Sequence, residues 1–298
     1  MSTLKARWQE LGAGGAFLAR SLATGSEIGF NVNQMLPLAS VAKVPLVLAV
    51  FDAASRGELE LDRQLLVSRE AATPGPTGTS AFQHPARIAI EDLAYLSLTI
   101  SDNAAADTLF AEIGPPAVQE VINRCGIEDL RIRHSMRYLY DSVERDAAGD
   151  ETMALALATR SESKGSKRQL LSGIDQRLAN VGSVRSLVAL LEAIWTDEAS
   201  APEACARLRR LMGLQLSTHR LATGFAADTF RLSGKTGTFL NLRHEIGVVE
   251  TSQGEKFIIA ALTSSSLPVF AQPALDAAIG TNARQAVEFL RRHDARPR

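Results

Sequence analysis

The sequence predicts an α/β fold: an antiparallel sheet built from the N- and C-terminal strands, flanked by helices, plus an all-α lobe. Three observations predict it. Two short apolar-rich runs, Ala16–Leu22 and Glu27–Val32, flank Thr24-Gly25-Ser26, which reads as a hairpin. Strand patterns return only near the other end, at 229–233, 245–250 and 256–263. Between them, helical periodicity marks 90–99, 103–112, 116–124, 183–196 and 203–214. Strands that far apart share a sheet only if the chain ends come together, which leaves the helical middle as its own lobe.

The remaining elements follow in order. Leu4, Trp8 and Leu11 fall at helical spacing, as in an amphipathic surface helix. A helix is expected from about Ser40 to Ser55, with Pro45 near its start, where a missing N–H costs little, and Gly57 as its stop. Thr73-Pro-Gly-Pro-Thr-Gly-Thr79 is loop by composition. Residues 135–180 look least regular, and Ser161–Arg168 reads as an exposed, mobile loop. A last amphipathic helix covers roughly 282–293. The chain divides as one domain, 1–298, with an α/β lobe of about 1–55 and 215–298 and an all-α lobe of about 56–214. The cleft between the lobes is the expected place for a small-molecule site.

Composition narrows the function. A net charge of −1 gives no global field for nucleic acid or an anionic membrane, and 5% aromatic residues make a poor stacking platform for single strands. No apolar run of about 20 residues spans a bilayer. Nucleic-acid and membrane partners are therefore not expected, and a monomer acting on a small molecule is. The N-terminus lacks the apolar stretch of a signal peptide, which predicts a cytoplasmic chain as written, and a periplasmic or secreted one if the N-terminus was trimmed. Cys125 and Cys205 show no metal spacing and read as two separate thiols. The five histidines form no metal motif, so no metal and no cofactor is implied.

Several motifs fail on counting. Gly234-Lys235-Thr236 lacks the glycine that a phosphate loop needs at 229, where Thr229 stands. Gly12, Gly14 and Gly15 meet Phe17 where a dinucleotide fingerprint needs its third glycine. Gly78-Thr-Ser80-Ala-Phe82 is one glycine short of a nucleophile elbow.

Three other motifs are complete and in order: Ser40-Val-Ala-Lys43, Ser101-Asp102-Asn103 and Lys235-Thr236-Gly237. The first occurs by chance about once in a chain of this length, and each of the others in roughly one chain in twenty. Singly, Ser101-Asp-Asn reads equally as a helix cap and Lys235-Thr-Gly as a strand end. Together they fit one chemistry. A serine hydroxyl needs a base, and Lys43 lies at i+3 on the same helix face as Ser40. Lysine is a base only when its neutral form is accessible, which burial and a cationic neighbour favour. Ser101 can pass a proton to a leaving nitrogen. Lys235 supplies the cationic neighbour and attracts a carboxylate, and Asn103 offers an amide to a substrate amide. Gly237 lets a ligand lie along the strand, leaving the N–H of Thr238 for an oxyanion.

With these motifs the sequence resembles the class A serine β-lactamases, within the penicillin-recognising serine hydrolases, over nearly its whole length. Arg56-Gly-Glu-Leu-Glu-Leu-Asp62, Ile100-Ser-Asp-Asn-Ala-Ala-Ala-Asp107 and the 61-residue step from Ser40 to Ser101 are similar to the family's. The resemblance implies an acyl-enzyme on Ser40, formed with Lys43 and Ser101. Asn103, Lys235, Thr236, Gly237 and Thr238 would hold substrate, and the N–H groups of Ser40 and Thr238 would form the oxyanion hole. It places a basic carboxylate-binding group near Arg243 and His244, although a solvated strand face is the reading the residues favour there. The implied activity is hydrolysis of a β-lactam or related cyclic amide. An amidase, esterase or D-peptidase with the same machinery, or an acylated sensor without turnover, is the alternative. One departure bears on that choice: the family's E-x-x-L-N, whose glutamate activates the deacylating water, is missing between Ser101 and Ser183. Glu144 and Glu151 are the substitutes considered, each reading first as an ordinary surface acid.

Overall fold

The structure, a computed structural model, describes residues 2–69, 72–163, 169–226 and 229–294. In chain order, α1 (Ser2–Glu10) leads into β1 (Ala13–Ser21) and β2 (Glu27–Phe30), whose hairpin turns at Gly25 with φ +72°. A two-residue strand, β3 (Leu36–Pro37), and a 3-10 turn (Ala39–Ala42) precede α2 (Lys43–Ser55). The short pair β4 (Gln64–Val67) and β5 (Ala86–Ala89) introduces α3 (Ile90–Thr99) and α4 (Asn103–Arg124). After β6 (Leu130–Arg131) come α5 (Arg137–Ala147), α6 (Glu151–Ser163), β7 (Val181–Gly182), α7 (Val184–Trp195) and α8 (Pro202–Met212). Three long strands, β8 (Arg231–Phe239), β9 (Leu242–Glu250) and β10 (Lys256–Ser265), and the helix α9 (Pro273–Asp294) close the chain.

The main sheet runs β2-β1-β10-β9-β8, antiparallel throughout, so strands from both chain ends meet as expected. Alternation along the strands loads both faces. On one face Phe17, Ala19, Phe257, Ile259 and Ala261 pack with Leu4 and Trp8 of α1 and with Ile279, Ala283 and Val287 of α9. The apolar stripe of α1 is therefore covered. On the other face Leu18, Ile246, Val248, Ile258 and Ala260 meet the helical layer.

Helix α2 is the axis of that layer. Every residue from Lys43 to Asp52 is buried, as an all-round apolar helix requires, and it packs on α3, α4 and α8. It ends at Gly57 (φ +74°), where the Glu58 N–H bonds the Ala53 carbonyl and the Gly57 N–H that of Ala54. The helices expected at 103–112 and 116–124 are the two halves of α4, which breaks at Gly114 (φ +75°, ψ +149°) before Pro115 and Pro116.

Two expectations need correction. The first part of the stretch 135–180 is regular: it carries α5 and α6, joined at Ala148 and Gly149, with Asp150 capping the N–H groups of Thr152 and Met153. Their buried faces are mostly small, with Ser142, Val143 and Ala147 on α5 and Ala154, Leu155 and Ala158 on α6, so the apolar period was faint. Of the loop expected at 161–168, residues 161–163 close α6 and 164–168 lie outside the described residues. The last helix also begins at Pro273, well before 282. Both cysteines are free, Cys205 buried and Cys125 half-buried. Among the described residues no helix is long and apolar enough to cross a membrane.

Candidate active site

The nucleophile candidate stands where the sheet meets the helical layer. Ser40 lies in the 3-10 turn, not in α2 itself, and Ala39 before it holds φ +46°. Side chains three apart eclipse on a 3-10 turn, so Ser40 and Lys43 share a face. The turn packs against β8, close enough that a Cβ at Gly237 would lie 3.0 Å from the Leu38 carbonyl oxygen and 3.2 Å from the Val41 nitrogen. A side chain there would require the turn to give by a few tenths of an ångström.

Two lysines converge on one serine. Lys43 Nζ donates to the Ser101 carbonyl (2.7 Å), to Ser101 Oγ (3.3 Å) and to Asn103 Oδ1 (2.7 Å). From the sheet side, Lys235 Nζ donates to Ser101 Oγ (3.0 Å) and to the Thr236 carbonyl (2.8 Å). Both lysines are fully buried. Desolvation brings the Lys43 ammonium down to about 7, against the opposing pull of the Asp107 and Asp102 charges. Desolvation and then the neighbouring Lys43 push Lys235 well below its ordinary value. Ser101 is held at φ +60°, a costly conformation for serine, by the tight turn between α3 and α4.

Asp102 secures that turn. It is buried, caps α4 at the Ala105 N–H (3.1 Å), and accepts from the Thr79 N–H (2.5 Å), the Thr79 hydroxyl (2.7 Å) and the Ser80 hydroxyl (3.2 Å). Helix cap and site motif are thus the same residues. Asp107, one turn on, accepts from Thr73 Oγ1 (2.5 Å) and from the N–H groups of Met136 (2.6 Å) and Arg137 (2.7 Å) at the start of α5. Burial raises its carboxyl above the usual range. Both carboxylates are committed to holding backbone.

On β8, the Thr236 N–H points out of the sheet to Gln215 Oε1 (2.6 Å), and Gln215 in turn donates to the buried Glu245 (2.8 Å). By strand alternation the N–H of Thr238 leaves the same edge of β8. Thr238 itself is exposed.

Two residues of this neighbourhood escaped the sequence reading. Arg220, 1% exposed, reaches under β8 from the turn after α8. It donates to Thr238 Oγ1 (2.7 Å), the Gly237 carbonyl (3.2 Å), the His244 carbonyl (2.7 Å) and Asp276 (2.6 Å). Tyr140 of α5 accepts from Asn103 Nδ2 (2.9 Å) and packs edge-on against Phe239 (centroids 5.9 Å apart). No motif marked either, because both reach their partners from segments remote in sequence.

The solvated strand face expected at Arg243 and His244 is a correction: Arg243 is 3% exposed and His244 fully buried. Arg243 donates to the carbonyls of Leu240 and Leu242 (2.7 Å each) and to that of Phe270. His244 donates from Nε2 to the Pro37 carbonyl (2.9 Å) and accepts the Thr263 N–H at Nδ1 (3.0 Å), and desolvation lowers it to about 3. Both brace the sheet. Glu144 and Glu151 are exposed, as surface acids are.

A five-stranded antiparallel sheet, a helical layer and a Ser–Lys–Ser–Lys seam between them define the architecture of the β-lactamases, and the comparisons agree. Residues 2–290 match the sequence model of the β-lactamase enzyme family, and the chain belongs to it. It is 44% identical, over 95% of its length and 94% of the relative's, to the β-lactamase regulatory protein BlaB of Streptomyces cacaoi. A β-lactamase of Streptomyces albus G is 30% identical over a third of each chain. Among solved structures, the β-lactamase of Sphaerobacter thermophilus DSM 20745 superposes with a TM-score of 0.78 at 20% identity, over 97% of this chain and 95% of that one. The structure of PBP-A does so at 0.74 and 19%, over 97% of both. At that identity the likeness is one of fold.

Proposed function

We propose that Ser40 is acylated by β-lactams, and that the resulting acyl-enzyme is long-lived, so that the chain acts as a β-lactam-responsive acyl-protein more than as a high-turnover hydrolase. The observation that carries the first half is the position of Ser101 Oγ between the two buried lysines. Ser40 Oγ attacks the lactam carbonyl carbon, with the N–H groups of Ser40 and Thr238 receiving the oxyanion. The Ser40 proton goes to the neutral amine of Lys43. As the C–N bond breaks, Ser101 gives its own hydrogen to the departing nitrogen and is reprotonated from Lys43. Lys235, Thr236 and Thr238 hold the substrate carboxylate, while Arg220 fixes the Thr238 hydroxyl and so serves as a positioning residue.

The second half rests on carboxylates. Those whose charge bears on Lys43 are Asp107 and Asp102, and backbone and hydroxyl donors already occupy both. With both of these committed to the scaffold, neither is free to activate water, and deacylation is expected to be slow. The 44% relative, named as a regulatory protein, fits that behaviour. A fluorescent penicillin tests the proposal: it should label the native chain and leave Ser40→Ala unlabelled. Label retained by Ser40→Ala would move the nucleophile elsewhere.

A further inference from the structure

The end of β8 away from Gly237 carries a charged groove. The register sets Arg231 of β8 and Lys256 of β10 on either side of Glu250 of β9. Directly paired residues share a face, so all three side chains extend the face on which Val248 and Ile258 meet the helical layer. Arg209 and Arg210, in the last turn of α8, and Trp195, which ends α7, supply the opposite wall. The groove between them, with Ser233 also in its lining, measures about 480 Å³. None of its residues belongs to the acylation machinery.

Four cationic side chains thus line one groove with a single carboxylate, in a chain whose net charge is −1. Arg209 and Arg210 are engaged with Asp197 (2.6 Å) and Glu91 (3.4 Å). Arg231 and Lys256 have no ion-pair partner among the described residues, Glu250 included. The Ser233 hydroxyl and the Trp195 indole N–H likewise have no acceptor among them. Donors gathered in one groove without acceptors of the chain's own, two of them charged, suit an anion whose oxygens accept several hydrogen bonds at once.

We propose that this groove binds a small diphosphate anion, free or esterified, with Arg231 and Lys256 as its principal cations. Glu250 opposes a singly charged ligand, whereas four cations against one carboxylate favour an anion of several charges. The volume falls in the range of small-molecule sites, about 300–1,000 Å³, and exceeds what a lone phosphate fills. The cations converge on one groove, and the chain as a whole has no positive field to hold an extended polyanion. Trp195 offers a flat apolar surface to a ring carried by an esterified ligand. The assignment goes beyond the acylation proposed above and does not depend on it.

Calorimetric titration of the native chain with pyrophosphate and with adenosine diphosphate, without divalent metal, tests the site. The expected result is saturable binding of pyrophosphate with a Kd below about 1 mM, weakened about tenfold or more in Arg231→Gln/Lys256→Gln. Arg87→Gln/Arg131→Gln removes the same charge elsewhere and, in about 0.1 M salt, should change the affinity by less than about twofold. All four side chains are exposed or half-buried, so both variants keep the fold. Tighter binding of adenosine diphosphate, with a tryptophan fluorescence change that Trp195→Phe abolishes, assigns an esterified ligand that reaches the indole. The other tryptophan, Trp8, is buried under α1 and gives no such signal. Binding no tighter than that of pyrophosphate assigns the diphosphate group alone. Failure of both compounds to bind at about 1 mM, or equal weakening in the two double variants, overturns the assignment.

Discussion

At the scale of single residues, the site works through burial more than through added charge. An exposed lysine stays protonated far above neutrality, and burial alone brings Lys43 to about 7. In the proposed acylation Lys43 takes the serine proton only when neutral, so the rate should climb about tenfold per pH unit below 7 and level off above about 8. A rate that keeps climbing to pH 10, as an ordinary lysine would give, contradicts this. Arg220 illustrates the cost of the same burial. Arg220→Ala leaves Asp276 without its cation and strips the donors from two carbonyls under β8. Breaking such a buried pair costs about 3–5 kcal/mol, which urea unfolding of the variant should register. These residues divide by legibility. Lys43, Ser101 and Lys235, which the structure joins by hydrogen bonds, could be singled out together because the motifs that carry them have fixed types at fixed spacing. Arg220 and Tyr140 could not, since what matters in them is which distant backbone or amide they reach. Asn103 was read as a residue but not in its bonding, which depends on a tyrosine 37 positions away.

At the scale of elements, turns and breaks place the chemistry. Gly237 eases the tight approach of β8 to the turn that carries Ser40, and the Ser101 turn is clamped by the cap of α4. Farther along α4, Gly114 holds a φ and ψ almost confined to glycine, which re-aims the second half of the helix after the site has been built by the first. Gly114→Ala should therefore cost about 1–3 kcal/mol in chemical denaturation while leaving the acylation rate of the folded protein unchanged. An equal loss of rate would mean that the break also positions the site. The break was legible as two helical patterns parted by Gly-Pro-Pro. Helices α5 and α6 were not, because alanine, serine and a few larger side chains suffice to pack them against Ala39, Phe239 and Leu242, and such faces carry little periodic signal.

At the scale of the whole molecule, the fold joins segments from opposite ends of the chain in one sheet. The hairpin of the first 30 residues pairs with β10, α1 and α9 cover the outer face together, and the turn bearing Ser40 is thereby pressed against β8. The strand-rich ends and helical middle predicted this arrangement, since a sheet shared between distant segments admits few alternatives. Two buried lysines converge on Ser101 Oγ, whereas the carboxylates whose charge bears on Lys43 are spent on the scaffold. The most direct test of that balance is intact-mass spectrometry of the native chain over time with excess benzylpenicillin, with Ser40→Ala beside it. The account predicts an increment equal to one penicillin, persisting after free drug is removed and missing from the variant. Rapid return to the unmodified mass with many equivalents of drug consumed, or an increment that survives in Ser40→Ala, would contradict it.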